Sequence, residues 1–65
     1  MTLRLNGLEI TSGATTLAEL LDQQSIETKG IAVAINRRVV PRAEWSVRVI
    51  CEGDEIVIVS AVYGG

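Results

Sequence analysis

Residues 1–21, MTLRLNGLEITSGATTLAELL, contain the signals for a hairpin and for the helix that follows it. Apolar and polar residues alternate over residues 1–5 and again over residues 8–11, which is typical of strands with one buried face. Asn6 and Gly7 lie between the two runs, and both residue types adopt the positive φ of a type I′ turn at little cost. The stretch therefore predicts two antiparallel strands joined by a tight turn.

A helix is predicted from Thr16 to about Gln24, where the apolar spacing changes. Leu17, Leu20 and Leu21 recur at the helical period, so they form one apolar face. Thr16 is a suitable N-cap, and the glutamate three residues later completes the pattern of a capping box. This helix is expected to cover one face of a sheet.

The remainder of the chain carries further strand signals, and the last of them is the most apolar. They are found at Ile31 to Ile35, at Val39 and Val40 before Pro41, at Val47 to Ile50, and at Ile56 to Val62. Proline ends the second of these because it cannot donate a hydrogen bond to a ladder. A continuous run of isoleucine and valine favours a strand buried between two neighbours, so the last strand is expected in the middle of the sheet.

We take the element order as β-β-α-β-β-β, which counts three of the four strand signals after the helix as sheet strands and leaves one helix to cover one face of the sheet. A chain of 65 residues has room for one small domain. The β-grasp arrangement fits best, an α+β fold with a mixed sheet of roughly four to five strands in which the first and last strands pair in parallel at the centre. We therefore expect a single domain over residues 1–65, with a flexible C-terminal tail from about residue 61 to residue 65.

Composition excludes several kinds of site. The chain has 0 histidines and 1 cysteine, which excludes an internal disulfide, a four-thiolate metal cage and any site that needs imidazole. The single cysteine favours a reducing, cytoplasmic compartment. A net charge of -2 does not attract nucleic acid, and no apolar run is long enough to span a bilayer. We therefore expect no bound metal, no nucleic acid and no membrane.

The chain ends in Tyr63, Gly64 and Gly65, and the terminal glycine pair is the feature with the most chemical content. Two residues without Cβ atoms can lie in a channel too narrow for side chains and bring the terminal carboxylate to a partner's bound nucleotide. A carboxylate is an inert acyl donor until it is activated, so an adenylating partner would have to act on it. An ordinary frayed chain end explains the glycine pair equally well on physical grounds alone.

Four segments carry a resemblance to a known family, namely LRLNGLEI, TLAELL, IAVAINRRVVPRAEW and EGDEIVIVSAVYGG. In their order and spacing they resemble the sulfur carrier proteins of thiamin biosynthesis, the ThiS type of the ubiquitin-like β-grasp group. The third segment is the most specific, because Asn36, Pro41, Arg42 and Trp45 are similar to the thiamin branch. The small subunit of molybdopterin synthase shares mainly the fold and the glycine pair. Tyr63 stands where the family would have a small or polar residue.

The resemblance implies that the carboxylate of Gly65 is adenylated by a ubiquitin-activating-type enzyme that uses ATP and Mg²⁺, and is then converted to a thiocarboxylate. It further implies that thiazole synthase receives the sulfur, which comes from cysteine through a desulfurase. The chain would then be a monomeric carrier that needs no bound cofactor of its own. Catalysis by the chain itself is not expected, since no base, nucleophile and oxyanion site occur together.

Val57 and Val59 are the candidate partner-docking residues inside the domain. If Ile56 and Ile58 face the helix, the two valines lie on the opposite face of the sheet, which a single helix leaves open. Exposed apolar patches on small domains often mark docking surfaces, and loops that cover this face are the alternative. Cys51 is expected to be a small apolar filler in or beside a strand, and not a persulfide or thioester relay.

Other functions also fit a β-grasp domain with a terminal glycine pair. A related carrier could serve molybdopterin synthesis or tRNA thiolation, or conjugate its tail to protein lysines, since these carriers share the chemistry and differ in the partner. A β-grasp domain could also be a binding module for RNA or protein that does not use its terminus, although the acidic charge and the Gly-Gly end count against this. A two-iron ferredoxin of the same fold needs four cysteines and is excluded.

Overall fold

A computed structural model describes the backbone of residues 1–60 and the side chains of residues 1–59. Within that part of the chain the elements are β1 (Thr2–Leu5), β2 (Leu8–Thr11), α1 (Leu17–Gln23), β3 (Ile31–Ile35), β4 (Arg38–Val40), a 3-10 helix (Arg42–Glu44) and β5 (Glu55–Ser60). The predicted hairpin, helix and last strand are all present. The last strand begins one residue earlier than predicted, and positions 61 and 62 of the prediction lie outside the described residues.

The strands form one mixed sheet in the order β2-β1-β5-β3-β4. β1 and β5 are parallel, with Leu5 opposite Ile56. β5 is antiparallel to β3 on its other side, with Val33 opposite Ile58. Both expectations for the last strand, its central place and its parallel pairing with the first strand, are confirmed.

Side chains between α1 and the sheet form the hydrophobic core. The helix contributes Leu17, Leu20 and Leu21, and none of the three is more than 1% exposed. The buried side chains that the strands contribute are Leu3, Val33, Ile35, Val40 and Ile56. Burying one such aliphatic side chain is worth about 1.5–3 kcal/mol, so the contact between helix and sheet is the main source of stability.

The predicted capping box starts α1. Thr16 Oγ1 accepts a hydrogen bond from the Glu19 backbone N–H at 3.3 Å. Glu19 Oε1 in turn accepts hydrogen bonds from the backbone N–H groups of Thr16 at 3.3 Å and of Thr15 at 2.7 Å. These local bonds satisfy donors that the end of a helix leaves without internal partners.

The prediction of a strand at residues 47–50 is wrong. The segment makes one isolated bridge, between Thr16 and Val49, and crosses the start of α1 without joining the sheet. The carbonyl groups of Trp45 and Arg48 accept hydrogen bonds from the N–H groups of the first two helical residues, each at 2.9 Å. Because those helix donors have no internal partner, the backbone of this segment caps the helix and is not available for a strand ladder.

Two hairpin turns require positive φ at both central residues. Asn6 and Gly7 have φ of 51° and 84°, which confirms the turn predicted there. Asn36 and Arg37 have φ of 51° and 71° in the turn between β3 and β4. An arginine in the left-handed region is under steric strain that a glycine avoids. The residues Asn36 and Arg37 therefore fit their turn conformation less well than Asn6 and Gly7 fit theirs.

Replacing Arg37 by glycine is expected to stabilise the domain by about 0.5–1 kcal/mol, because glycine adopts this φ without the steric cost. The Arg37 side chain is exposed, so the change removes no buried contact. Urea unfolding followed by the fluorescence of Trp45 measures the difference. Arg38→Gly is the control, since glycine within β4 weakens a strand. A loss of stability in Arg37→Gly equal to that of the control would contradict the prediction.

Candidate functional site

The face of the sheet that points away from α1 carries the candidate docking residues. Side chains alternate between the two faces along a strand, so the inward positions of Ile56 and Ile58 place Val57 and Val59 outward. Val57 is 39% exposed and Val59 is 52% exposed, whereas Ile56 is 0% exposed. The prediction that these valines lie on a face the helix does not cover is confirmed. Their role in docking stays a prediction.

Neighbouring strands extend the two valines into a larger apolar surface. β3 places Ala32 opposite Val59 and Ala34 opposite Val57, and β4 places Val39 opposite Ala34. We call the set Ala32, Ala34, Val39, Val57 and Val59 the valine patch. Together with Val33 these residues line a shallow depression. Ala34 lies between Val57 and Val39, and Ala32 lies beside Val59. The small alanine side chains next to larger valines account for the depression.

A row of charged residues borders the valine patch. Arg4 lies opposite Glu9 on β2 and opposite Glu55 on β5, so charges of opposite sign adjoin across three strands. Arg4 and Glu9 are exposed, and Glu55 is half-buried. An apolar centre with a polar border is the usual anatomy of a protein–protein interface. The outer face of the sheet therefore has the composition of a docking surface.

β5 leads from the valine patch toward the C-terminus of the chain. Ser60 lies opposite Ile31 at the end of the β3–β5 ladder, and residues 61–65 follow it in sequence. The predicted site residues Tyr63, Gly64 and Gly65 lie outside the described residues, as does the tail predicted from about residue 61. The structure thus describes the candidate docking surface and the strand from which the tail departs.

Asn36 and Asp54 join the turn between β3 and β4 to the start of β5. Asn36 Nδ2 donates a hydrogen bond to Asp54 Oδ1 at 3.0 Å, and Asn36 Oδ1 accepts one from the Glu55 N–H at 3.0 Å. Asp54 is 9% exposed, and its Oδ2 accepts the Cys51 N–H at 2.7 Å. Asn36, one of the residues similar to the thiamin branch, therefore has a structural role in this network.

Cys51 is exposed, which corrects the expectation of a small apolar filler. The residue lies in a turn and not in a strand, since the Asp54 N–H donates to the Cys51 carbonyl at 3.1 Å. Gly53, with φ of 82°, lies within the same turn. Ile50, only 3% exposed, takes the core position in this part of the chain. The turn therefore leaves the Cys51 side chain in solvent.

The other residues similar to the thiamin branch hold the chain that follows β4. Trp45 is 6% exposed, and its Nε1 donates to the Val40 carbonyl at 2.9 Å. The Arg42 guanidinium lies 4.8 Å from the centroid of the Trp45 ring and donates to the Thr28 carbonyl. Pro41 immediately precedes the 3-10 helix. Packing and hydrogen bonding therefore account for these residue types.

Asn6 has a second role that sequence analysis missed. Its Oδ1 accepts a hydrogen bond from the Ile58 N–H at 2.7 Å. The Asn-Gly pair indicates a turn, but the contact with Ile58 spans 52 positions of the chain. No local pattern reports a contact between residues so far apart.

The described residues contain neither a cluster of metal-ligand side chains nor an unpaired buried polar side-chain atom. No group of three or more His, Cys, Asp and Glu residues is placed there to hold a metal ion. Every buried side-chain nitrogen and oxygen atom in that part has a hydrogen-bond partner, and unpaired atoms of this kind often mark a missing ligand. No helix among residues 1–60 is long and apolar enough to cross a membrane. Among the described residues, the valine patch is the candidate for a binding role.

Comparison with known proteins points to one family. The sequence model of the ThiS family matches residues 3–65. The sulfur carrier protein ThiS of Escherichia coli (strain K12) is 38% identical over 50 residues, which cover 77% of this chain and 76% of that protein. The crystal structure of the thiamine biosynthesis protein ThiS from Geobacter metallireducens has a TM-score of 0.89 at 26% identity, with 100% of both chains covered.

A solution structure supports the same likeness. The NMR structure of a thiamine biosynthesis protein from Geobacter metallireducens has a TM-score of 0.77 at 25% identity and covers 100% of this chain and 88% of that one. The mixed sheet with a helix on one face is therefore shared with solved structures of this kind. The predicted ubiquitin-like β-grasp fold is confirmed.

Proposed function

The chain belongs to the ThiS family, and on this basis we propose that it is a sulfur carrier of thiamine biosynthesis. The observation that carries the proposal is the family match over residues 3–65, which includes the terminal Gly64 and Gly65. The reactive group is the carboxylate of Gly65. The chain is a protein substrate on which partner enzymes act, and not a catalyst, and it works as a monomer in the cytoplasm.

Sulfur loading takes two steps at the Gly65 carboxylate. A carboxylate oxygen attacks the α-phosphorus of ATP, which a ubiquitin-activating-type partner holds with Mg²⁺, and pyrophosphate leaves as the acyl adenylate forms. A sulfur nucleophile equivalent to hydrosulfide, derived from cysteine through a desulfurase, then attacks the carbonyl carbon. AMP leaves and the thiocarboxylate remains. The adenylate is needed because a free carboxylate has no adequate leaving group.

Delivery of the sulfur depends on access to the tail. Gly64 and Gly65 have no Cβ atoms, so they can enter a channel too narrow for other residues. Tyr63 is the first position from the terminus that carries a side chain, and it is therefore proposed to contact the rim of that channel. The proposed acceptor is thiazole synthase, which would take the sulfur from the thiocarboxylate during formation of the thiazole ring.

The valine patch is proposed to hold the carrier on its partner enzymes while the tail reacts. Val57 and Val59 are its anchors, since both belong to β5 and are exposed. A chain of the length of residues 61–65 can span at most about 16–18 Å. A partner that binds the patch must therefore place its reaction centre within roughly that distance of Ser60.

The intact mass of the full chain tests the proposed function. The protein is incubated with ATP, Mg²⁺, a matching adenylating enzyme and a sulfur source, beside a reaction without ATP. We expect the mass to rise by the difference between one sulfur and one oxygen atom, with the change confined to the C-terminal peptide. A mass that does not change with any adenylating enzyme of the same cell would overturn the proposal and favour a β-grasp binding module.

Val59→Asp is expected to weaken binding to the adenylating enzyme by about 10- to 100-fold, because docking would bury an unpaired carboxylate. Titration calorimetry measures the affinity, and the KM for the carrier should rise more than kcat falls. Val47→Asp is the matched control, since Val47 is 71% exposed and lies outside the valine patch. Equal weakening by the two variants, or none by either, would show that the patch is not the docking surface.

A further inference from the structure

An asparagine holds the central strand β5 on each of its two sides. Asn36, in the turn between β3 and β4, accepts a hydrogen bond from the Glu55 N–H through Oδ1 at 3.0 Å. Asn6, in the turn between β1 and β2, accepts one from the Ile58 N–H through Oδ1 at 2.7 Å. Both asparagines have φ of 51°. The two hairpin turns thus hold β5 in the same way, one at its start and the other in its second half.

Asn6 takes the place of a strand that has ended. β1 stops at Leu5, which lies opposite Ile56, and the Asn6 N–H donates to the Ile56 carbonyl at 2.8 Å. The next donor that β5 presents on this side is the Ile58 N–H, and the Asn6 side chain accepts it. Within residues 1–59 this is the last hydrogen bond that β5 donates toward the β1 side of the sheet.

We propose that Asn6 is a positioning residue for the reaction of the Gly65 carboxylate, an inference that rests on the proposed function. Ile58 lies between Val57 and Val59 of the valine patch, and β5 ends two residues later at Ser60. The β3–β5 ladder holds one side of this segment up to Ser60. The Asn6 hydrogen bond fixes its other side, where β1 has ended, so it restrains the direction in which the tail leaves the sheet. A reacting carboxylate has to arrive within about 3–3.5 Å of its target, and small displacements lower the rate strongly.

Asn6→Gly removes the acceptor and keeps the turn, because glycine adopts a φ of 51° without strain. Exchange of the Ile58 amide proton is expected to accelerate about five- to tenfold relative to wild type, as the loss of one hydrogen bond implies. The kcat for adenylation is expected to fall about five- to tenfold while KM changes less than about twofold, because the valine patch still docks. Asn6→Asp keeps an acceptor oxygen and is expected to restore slow exchange and kcat.

Asn36→Gly is the matched control, since it changes the same residue type with the same φ at the other end of β5. It removes the hydrogen bonds to Asp54 and Glu55 and should lower the urea midpoint, yet leave kcat within about twofold of wild type. A kcat loss equal to that of Asn6→Gly would overturn the proposal, because it would reflect general destabilisation. Unchanged exchange at Ile58 in Asn6→Gly would overturn it as well.

The proposed function and the positioning role of Asn6 can be overturned separately. If no adenylating enzyme activates the wild-type chain, the proposed function fails and the positioning role fails with it. If wild type is activated and Asn6→Gly keeps a normal kcat, only the positioning role is overturned. Exchange of the Ile58 amide proton is measured without a partner enzyme. It therefore reports the hydrogen bond to Asn6 whether or not an enzyme activates the chain.

Discussion

A chain that lacks Gly65 is expected to gain no sulfur, with activation at least about 100-fold slower than for the full chain. Removing one residue withdraws the carboxylate by about 3.3–3.6 Å, which equals the whole distance of about 3–3.5 Å required between reacting atoms. The valine patch lies on β3, β4 and β5 and is unaffected, so docking should stay within about twofold of wild type. Pyrophosphate release measures activation, and calorimetry measures docking.

A full-length chain with an amidated C-terminus is the control that separates the length of the tail from the reactivity of its terminal group. The amide removes the terminal charge and the nucleophilic oxygen pair and changes the length very little. This control is expected to dock normally and to release no pyrophosphate. Normal activation of the chain without Gly65 would exclude the Gly65 carboxylate as the reactive group, and the tail would then need a different function.

Leu20→Ala is expected to destabilise the domain by about 3–4 kcal/mol, because it leaves a cavity where α1 meets the sheet. Leu20 is 0% exposed. A domain of this size seldom has more than about 3–5 kcal/mol of stability from its core, so much of the variant population should be unfolded at 25 °C. Urea unfolding measures the change, with the buried Trp45 as the fluorescent reporter.

Leu8→Ala is the matched control for this substitution, since Leu8 is 71% exposed. Its effect is expected to stay within about 0.5 kcal/mol, as is usual for a surface position. The comparison holds the chemical change constant and varies only the burial of the leucine. Equal stabilities of the two variants would mean that α1 does not cover the sheet as described.

Elements with short-range causes were predictable from the sequence. The capping box needs only Thr16 and Glu19 at the right spacing, and the first turn needs only Asn6 and Gly7. The candidate docking valines were also predictable, since alternation along one strand places residues 57 and 59 on the face opposite their neighbours. In each case the determining residues lie within about four positions of one another.

Segment 47–50 marks where local reasoning fails. Its alternating valines fit a strand, yet its neighbour in space is the start of α1, where N–H donors need acceptors. The carbonyls of Trp45 and Arg48 supply them. The N–H donors that need these acceptors belong to a helix that begins about 30 positions earlier in the chain. The alternation of residue types within segment 47–50 contains no information about that helix.

The amino-acid sequence by itself determined the hairpin, the helix, the central last strand, the terminal glycine pair and the segments that resemble one family. Only the tertiary structure decided that Ala32, Ala34 and Val39 join the two valines in one patch, that Cys51 faces solvent, and that Asn6 holds Ile58. The physical reason is the range of the interactions. Periodicity and caps act over a few residues, whereas the bond from Ile58 to Asn6 spans 52 positions and exists only once the sheet has assembled.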